Sequence, residues 1–390
     1  MKRWVAFPIF FVVLALACNF AAQPVSGPPE TPIPPTNEPG PPAEPTEPEE
    51  ATAEPEVELG TEPTESAEQP VEPTAPVELP APTEAKAPVQ AGELNPNPPE
   101  KPVRLVFIHH SSGGNWLADP AGNGSGGDLG RALMESNYYV SATNYGWGAD
   151  SIGDRTDIGN WWEWFRGDSS ATYLQALFRE GKPNFGDFGR WPRLSAAPKG
   201  ENEIILFKSC FPNSALNGRP DDAPSTGENA LRGQDASSEA HTVANAKGIY
   251  VDLLGYFATR PDKLFVVITA PPLHEAETSP EQAANARAFN RWLVQDWLNG
   301  YALANVAVFD YYNVLTSNGG NADQNDLGSQ SGNHHRYGAG SIEYITNQGG
   351  DVSAYAVPGD SHPTAAGNAK ATAEFVPLLN IFYHQWQNSQ

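Results

Sequence analysis

Short apolar runs alternate with longer amphipathic stretches over most of the chain after residue 100. Runs of five or six mostly apolar residues predict strands that are buried on both faces. The longer stretches carry apolar residues at helical spacing. The predicted strands are 103–108, 138–142, 203–207, 264–269 and 306–310, and the predicted helices are 128–135, 237–259, 280–298 and 364–386.

This alternation predicts a single α/β domain over residues 101–390, built on a mostly parallel sheet of about five strands with helices on both faces. Three polar or aromatic segments, 149–202, 214–236 and 315–359, are longer than ordinary connections. We expect them to be lids, binding walls or small subdomains.

The N-terminus has the pattern of an export signal. Lys2 and Arg3 precede an apolar segment, 5–17, which is too short to span a bilayer comfortably. The sequence Ala-Leu-Ala-Cys that ends at Cys18 is typical of a bacterial lipoprotein cleavage site, with the cysteine acylated in the mature chain. We therefore expect residues 1–18 to be a lipoprotein signal peptide and Cys18 to anchor the protein to the membrane or envelope surface. The alternative is an ordinary signal peptide and a secreted protein.

Residues 19–100 differ in composition from everything after them. They contain 22 Pro, 17 Glu and one Lys, with a single aromatic residue, Phe20. Such a segment cannot bury enough apolar surface to offset its conformational entropy, and proline together with like charges keeps it extended. The sequence predicts a disordered stalk between the anchor and the domain.

The formal net charge of −24 is concentrated in this stalk. Its acidic excess, together with the two positive residues of the signal segment, leaves about −10 for residues 101–390. An acidic domain argues against nucleic acid and anionic lipid as partners. The chain has two Cys, so an acylated Cys18 leaves Cys210 without an intrachain disulfide partner, and a cysteine-based metal site is excluded.

Candidate catalytic residues lie after the first predicted strand and before the last predicted helix. Ser111 follows the first strand, and Asp360 and His362 stand two positions apart just before the last helix. Because active sites of open α/β sheets lie at the carboxyl ends of the strands, these three side chains are expected to meet there. A serine needs a neighbouring base to become a nucleophile, and the base needs a carboxylate to fix its tautomer.

The order of these blocks resembles the SGNH (GDSL-type) hydrolase superfamily of esterases and lipases, over residues 103 to about 385. The resemblance implies a flavodoxin-like three-layer sandwich and a catalytic triad of Ser111, His362 and Asp360. It also implies an oxyanion hole formed by the N–H groups of Ser111 and Gly148, or alternatively Gly146, and by the amide of Asn213. No cofactor is implied.

Three departures from the family pattern are visible. His109-His110 stands where Gly-Asp is usual, and Pro212 precedes Asn213 where the family has Gly-x-Asn-Asp. The terminal block is Asp-x-His, a spacing that resembles the acetyltransferase and acetylesterase branches acting on polysaccharides. The resemblance therefore favours an ester substrate, acetylated polysaccharide above others.

Aromatic residues are dense between the predicted strands, especially in 161–165. Core packing accounts for most of them, but Trp147 and Trp116 are candidates for a sugar-stacking wall, and His110 is a candidate substrate contact beside Ser111. Trp147 is the preferred one because it stands between two glycines. The histidines show no zinc spacing, and the acidic segment 323–326 is interpreted as a solvated turn, not a calcium loop.

Three alternatives to a carbohydrate esterase remain open. The first is a lipid esterase, although the mostly polar loops do not suggest a broad apolar mouth. The second is a glycan-binding lipoprotein that has the fold but no catalysis. The third is a structural surface protein in which Ser111 and His362 lie far apart.

Overall fold

A computed structural model describes residues 94–317, 332–346 and 350–390. The predicted signal peptide with Cys18, most of the predicted stalk and the segment 323–326 lie outside the described residues. In the described residues no helix combines the length and the apolar character needed to cross a membrane.

The centre of the domain is a five-stranded, fully parallel sheet. Its strand order is β2-β1-β3-β4-β5, the order of flavodoxin-like doubly wound sheets. The prediction of an α/β domain with about five parallel strands is confirmed, and each strand lies within one residue of its predicted bounds. The strands are β1 (Val103–Ile108), β2 (Tyr138–Ala142), β3 (Ile204–Lys208), β4 (Leu264–Ile268) and β5 (Val306–Phe309).

Eight helices accompany the sheet in the described part of the chain. The predicted helix 237–259 begins later, because Thr242 is extended and its side chain caps the helix by accepting from the Asn245 N–H. The helices are α1 (Ser112–Leu117), α2 (Leu129–Glu135), α3 (Asn160–Phe165), α4 (Ser170–Arg179), α5 (Val243–Phe257), α6 (Pro280–Gln295), α7 (Tyr311–Leu315) and α8 (Ala365–Asn388).

Each face of the sheet carries its own hydrophobic core. Successive strand residues point to opposite faces. Leu105 and Phe107 of β1 therefore join the core formed with α1, α2 and α8, whereas Val106 and Ile108 join the core formed with α3, α4, α5 and α6. This arrangement explains why the strands are mostly apolar, and it brings their carboxyl ends to one edge of the sheet, where loops can form a site.

The long segments contain structure of their own. Segment 149–202 includes α4 and also α3, in which Trp161 and Trp164 are fully buried. Segment 315–359 includes an antiparallel hairpin of β6 (His334–Gly338) and β7 (Ser341–Ile345). The hairpin is held to α8 because the Glu374 carboxylate bonds to His334 Nδ1 at 2.7 Å. Both segments are therefore partly core elements.

Packing of the chain starts before residue 101. The Pro96 carbonyl accepts from Asn380 Nδ2 on α8 at 2.8 Å, and the Pro99 carbonyl accepts from Asn137 Nδ2 at 2.8 Å. The last residues assigned to the stalk from composition thus belong to the folded domain.

Four buried histidines give a testable pH dependence. Burial lowers the pKa of His110, His241 and His335 from 6.5 to about 4, and that of His109 well below 6.5. Between these values only the unfolded chain binds the protons, so the free energy of unfolding should fall as pH drops from about 6.5 to 4. The expected loss is on the order of 1 kcal/mol per pH unit per histidine.

Urea denaturation at pH 7, 5.5 and 4.5 measures this loss. His241→Leu should reduce the pH slope by one histidine's share, since the other three stay in place. A urea midpoint that does not change from pH 7 to 4.5 would contradict the assignment of these histidines as buried and neutral.

Candidate active site

Ser111 occupies a sharp turn between β1 and α1. Its backbone has φ 45° and ψ −111°, in the positive-φ region that a serine rarely adopts. Residues held in such conformations require support from their surroundings and cluster at functional sites. The turn follows the carboxyl end of β1, at the edge where an α/β sheet binds its ligands.

His362 and Asp360 approach this turn from the loop before α8. Ser111 Oγ is hydrogen-bonded to His362 Nε2, although 251 positions separate the two residues. His362 Nδ1 lies 2.5 Å from Asp360 Oδ1, and the same oxygen accepts from the His362 backbone N–H at 2.9 Å. The three predicted side chains thus form one continuous hydrogen-bonded series, which excludes the alternative that Ser111 and His362 lie far apart.

The geometry assigns roles to the two imidazole nitrogens. A carboxylate only accepts hydrogen bonds, so Nδ1 carries the hydrogen that points to Asp360. In the neutral ring Nε2 then has the lone pair and accepts from the Ser111 hydroxyl. This is the tautomer that a general base needs.

The loop that carries this pair is held on several sides. Asp360 and Val357 exchange two backbone hydrogen bonds, at 3.0 and 3.3 Å. Between Asp360 and His362, the Ser361 hydroxyl donates to Glu277 and accepts from the His274 N–H. The His362 ring meets the Phe211 ring edge to face, with centroids 4.9 Å apart. These contacts fix the position of the base.

Buried polar contacts support the turn that carries Ser111. Lys208, the last residue of β3, is 1% exposed and donates to Ser112 Oγ at 2.7 Å and to the Ser209 carbonyl at 2.9 Å. Gly113 is required because a Cβ there would lie 2.5 Å from the Cβ of His109. The lysine therefore ties the end of β3 to the residue that follows Ser111.

Two backbone N–H groups that the resemblance assigns to an oxyanion hole are not engaged with the protein. Within the described part of the chain, the N–H groups of Ser111 and Gly148 donate to no protein acceptor. Gly148 has φ 79°, and the N–H of Gly146, the other candidate, donates to Asp154 Oδ1 at 2.7 Å. These contacts favour Gly148 over Gly146 as the second donor.

Asn213 is placed differently from what the resemblance implies. Its amide Nδ2 donates to Asp157 Oδ1 at 2.5 Å and to the Cys210 carbonyl at 3.2 Å, and its Oδ1 accepts from the Ile158 N–H at 2.8 Å. Both amide hydrogens are therefore engaged, and the side chain is 1% exposed. In this structure Asn213 joins the β3 exit to the segment before α3 and does not present a free donor.

The two tryptophans proposed as a sugar wall both make contacts within the protein. Trp116 is fully buried, stacks on Tyr311 and donates its indole N–H to Thr372, so its predicted contact with substrate is wrong. Trp147 is half-buried, its ring stacks on Trp164 at 5.7 Å, and its N–H donates to Glu180 at 2.5 Å. One face of the Trp147 ring and its indole N–H are therefore already engaged in contacts within the protein.

His110 does lie beside the nucleophile, and it brings a residue that the sequence did not single out. The Tyr145 ring stacks on the His110 ring at 4.6 Å with an interplanar angle of 19°, and the Tyr145 hydroxyl bonds to His110 Nδ1 at 3.1 Å. Lys208 and Phe211 were missed as well. The available signals were a lysine at the end of a buried apolar strand and aromatic residues directly after strand ends.

No metal centre is formed by the residues that the structure describes, since no group of three or more His, Cys, Asp or Glu is arranged for one. The groups that the structure brings together at the site are the Ser111 hydroxyl, the His362 imidazole and the Asp360 carboxylate.

Comparison with known proteins adds little to this geometry. No family model and no curated protein matches the chain. One solved crystal structure aligns with 71% of this chain and 96% of its own length, at 14% sequence identity and a TM-score of 0.29. That likeness is too weak to support any statement about fold or function.

Proposed function

We propose that this protein is a serine esterase of the SGNH type, acting on an acylated carbohydrate. The observation that carries the proposal is the continuous series from Ser111 Oγ through the His362 ring to Asp360. A serine, an imidazole and a carboxylate in this order constitute the machinery of acyl transfer, whatever fold they stand on.

The proposed reaction runs in two halves. In the first, Ser111 Oγ attacks the ester carbonyl carbon while His362 Nε2 takes its proton. The oxyanion accepts hydrogen bonds from the N–H groups of Ser111 and Gly148, and these bonds stabilise the tetrahedral intermediate. The carbon–oxygen bond to the alcohol then breaks, and the imidazolium returns its proton to the leaving alcohol.

The second half restores the enzyme. A water molecule gives a proton to His362 and attacks the acyl carbon, and the bond to Ser111 Oγ breaks as the serine recovers its proton. Asp360 stabilises the imidazolium that forms twice in the cycle and holds the Nδ1–H tautomer. The products are the free alcohol and a carboxylic acid.

A short acyl group fits the surroundings best. Phe211, packed with Cys210 and Leu273, fills the space beside His362. The exposed large apolar side chains near the site, Tyr145 and Val357, come from separate loops and do not form a broad apolar mouth of the kind that a lipase needs. These features support an acetyl ester over a long-chain lipid ester.

The proposal also includes the cellular location of the enzyme. A lipoprotein signal and an acylated Cys18 would hold the protein at the cell surface, with the Pro- and Glu-rich stalk as a spacer. The acidic charge of residues 101–390 favours a neutral substrate over an anionic one.

A series of p-nitrophenyl esters, from acetate through butyrate and octanoate to palmitate, tests the proposal on the full chain. We expect kcat/KM to be highest for acetate and to fall by about 10-fold or more at octanoate. The added methylene groups have no apolar surface at the site to pack against. The Ser111→Ala protein supplies the background rate.

The other outcomes of this series identify the alternatives. Faster cleavage of palmitate than of acetate would identify a lipid esterase. No hydrolysis of any ester above the Ser111→Ala background would favour the non-catalytic glycan-binding protein, in which the engaged amide of Asn213 leaves the oxyanion site incomplete.

A further inference from the structure

The engaged amide of Asn213 leaves the proposed oxyanion hole without a side-chain donor. Its two amide hydrogens are directed to Asp157 and to the Cys210 carbonyl, and the residue is 1% exposed. The N–H groups of Ser111 and Gly148 remain. Loss of one donor from an oxyanion hole lowers kcat by about 100- to 1000-fold, so a further donor beside Ser111 would have a large effect on the rate.

The His110 ring lies between the two segments that carry these backbone donors. His110 immediately precedes Ser111, and its carbonyl accepts from the Gly113 N–H at 3.1 Å, which fixes its backbone at the start of the turn. Its ring is stacked on the ring of Tyr145, with centroids 4.6 Å apart. Tyr145 follows β2 and stands three residues before Gly148. The ring thus connects the Ser111 turn to the Gly148 loop.

One nitrogen of this buried ring is accessible. His110 is 7% exposed, and its Nδ1 lies 3.1 Å from the Tyr145 hydroxyl. Its Nε2 forms no hydrogen bond with any residue that the structure describes, yet it does not belong to the enclosed polar atoms that lack a partner. The protein therefore encloses most of the ring and leaves Nε2 open beside the nucleophile.

The contacts of the His110 ring make Nε2 a hydrogen-bond donor. A phenol hydroxyl that donates to Nδ1 uses the lone pair of that nitrogen, so the hydrogen of the neutral ring is on Nε2. Burial lowers the pKa of His110 from 6.5 to about 4, and the ring is therefore neutral at pH 7. A neutral imidazole can polarise a carbonyl oxygen by donating a hydrogen bond to it.

His110 and His362 flank Ser111 and have different partners. His362 bonds to Ser111 Oγ and has the Asp360 carboxylate on Nδ1, which stabilises the imidazolium. His110 has a phenol hydroxyl on Nδ1, and the charged forms of Lys208 and His362 both disfavour its protonation. One imidazole is thus suited to take a proton, and the other is suited to donate a hydrogen bond without changing its charge.

We propose that the Nε2–H of His110 is the third donor of the oxyanion hole, in place of the Asn213 amide. The inference rests on the proposed function, because an oxyanion forms only if Ser111 attacks an ester. As Ser111 Oγ bonds to the carbonyl carbon, its proton passes to His362 Nε2 and the π electrons of the carbonyl move onto its oxygen. His110 donates a hydrogen bond to that oxygen and keeps its proton, together with the two backbone N–H groups.

Two substitutions at His110 in the full chain test this role. His110→Phe keeps an aromatic ring and removes the donor, so kcat for p-nitrophenyl acetate should fall by about 100-fold while KM stays within about 3-fold of wild type. His110→Gln has an amide N–H in place of Nε2–H, and its kcat should be at least about 10-fold above that of His110→Phe. This rescue depends on the donor and not on the shape of the ring.

His384→Phe is the matched control. His384 lies on α8, about 30 Å along the helix from its start, and its Nε2 is 3.1 Å from the Asn97 carbonyl. The same exchange of imidazole for phenyl at this distance should leave kcat within about 2-fold of wild type. Urea denaturation shows whether each variant is folded.

A measurement on the wild-type chain does not depend on how the variants fold. In nitrogen NMR of protein labelled with ¹⁵N-histidine, His110 should have its hydrogen on Nε2 at pH 7, with the resonance assigned by its absence from His110→Gln. Reaction of Ser111 with a fluorophosphonate places a phosphoryl oxygen where the oxyanion forms. The Nε2 resonance of His110 should then shift.

Failure of this inference and failure of the esterase proposal give different results. If hydrolysis depends on Ser111 but folded His110→Phe keeps kcat within about 10-fold of wild type, the inference is wrong and the esterase stands. The same holds if His110→Gln is as slow as His110→Phe, or if the hydrogen of His110 is on Nδ1. If no ester is cleaved and Ser111 is not labelled, the esterase proposal falls and the inference falls with it.

Discussion

Replacing Ser111 with Ala should reduce kcat/KM for p-nitrophenyl acetate by on the order of 10⁴-fold or more. Without the hydroxyl, no acyl-enzyme can form, and His362 can only assist a water molecule that the site does not position. Loss of the nucleophile from a Ser-His-Asp triad leaves only the residual rate that binding and oxyanion contacts provide. The fold should be preserved, because the substitution removes one oxygen from a side chain that faces His362.

Ser169→Ala is the matched control for this variant. Ser169 is exposed before α4, and its side chain makes no capping hydrogen bond. Its rate should stay within about 2-fold of wild type, since exposed substitutions away from a site have small effects. A Ser111→Ala protein that retains a tenth or more of wild-type activity would exclude Ser111 as the nucleophile.

Two substitutions at Asp360 should separate its charge from its positioning role. One oxygen, Oδ1, accepts from both the His362 N–H and Nδ1. In Asp360→Asn an amide oxygen can accept the same two hydrogen bonds, so only the negative charge is lost. In Asp360→Ala the charge and the orientation of the ring are both lost. We expect the loss in kcat to reach on the order of 10⁴-fold in both variants, and to be the larger in Asp360→Ala.

The measurement is kcat for p-nitrophenyl acetate in both variants, with circular dichroism to confirm that each is folded. The Asp360 side chain is 57% exposed, so its removal leaves no buried unpaired group, and the stability of the two variants should be close to that of wild type. An Asp360→Ala protein as active as wild type would show that His362 works without the carboxylate.

Much of the fold could be predicted from the sequence because buried parallel strands are recognisable as short, mostly apolar runs. Apart from the half-buried Tyr139, every residue of the five strands is buried, and each strand was located within one residue. The contact between Ser111 and His362 was predictable for the same reason. Once the sheet is parallel, segments that follow strand ends collect at one edge, however far apart they are in the chain.

The environment of individual side chains could not be predicted in this way. Trp116 follows β1 and Tyr145 follows β2, yet the first is fully buried and the second is 42% exposed. That difference depends on α8, which covers Trp116 through Thr372, 256 positions away. Asn213 is a similar case, because its partner Asp157 comes from a loop 56 positions earlier. Contacts of this kind leave no local pattern.

The central claim is that Ser111 is an activated nucleophile, and labelling with a fluorophosphonate probe tests it most directly. Intact-protein and peptide mass spectrometry of the full chain should show one probe group on the peptide that contains Ser111. The labelling rate should fall strongly in His362→Ala, and the label should be absent from Ser111→Ala. A folded wild-type protein that remains unlabelled, or a label that persists in Ser111→Ala, would contradict the account.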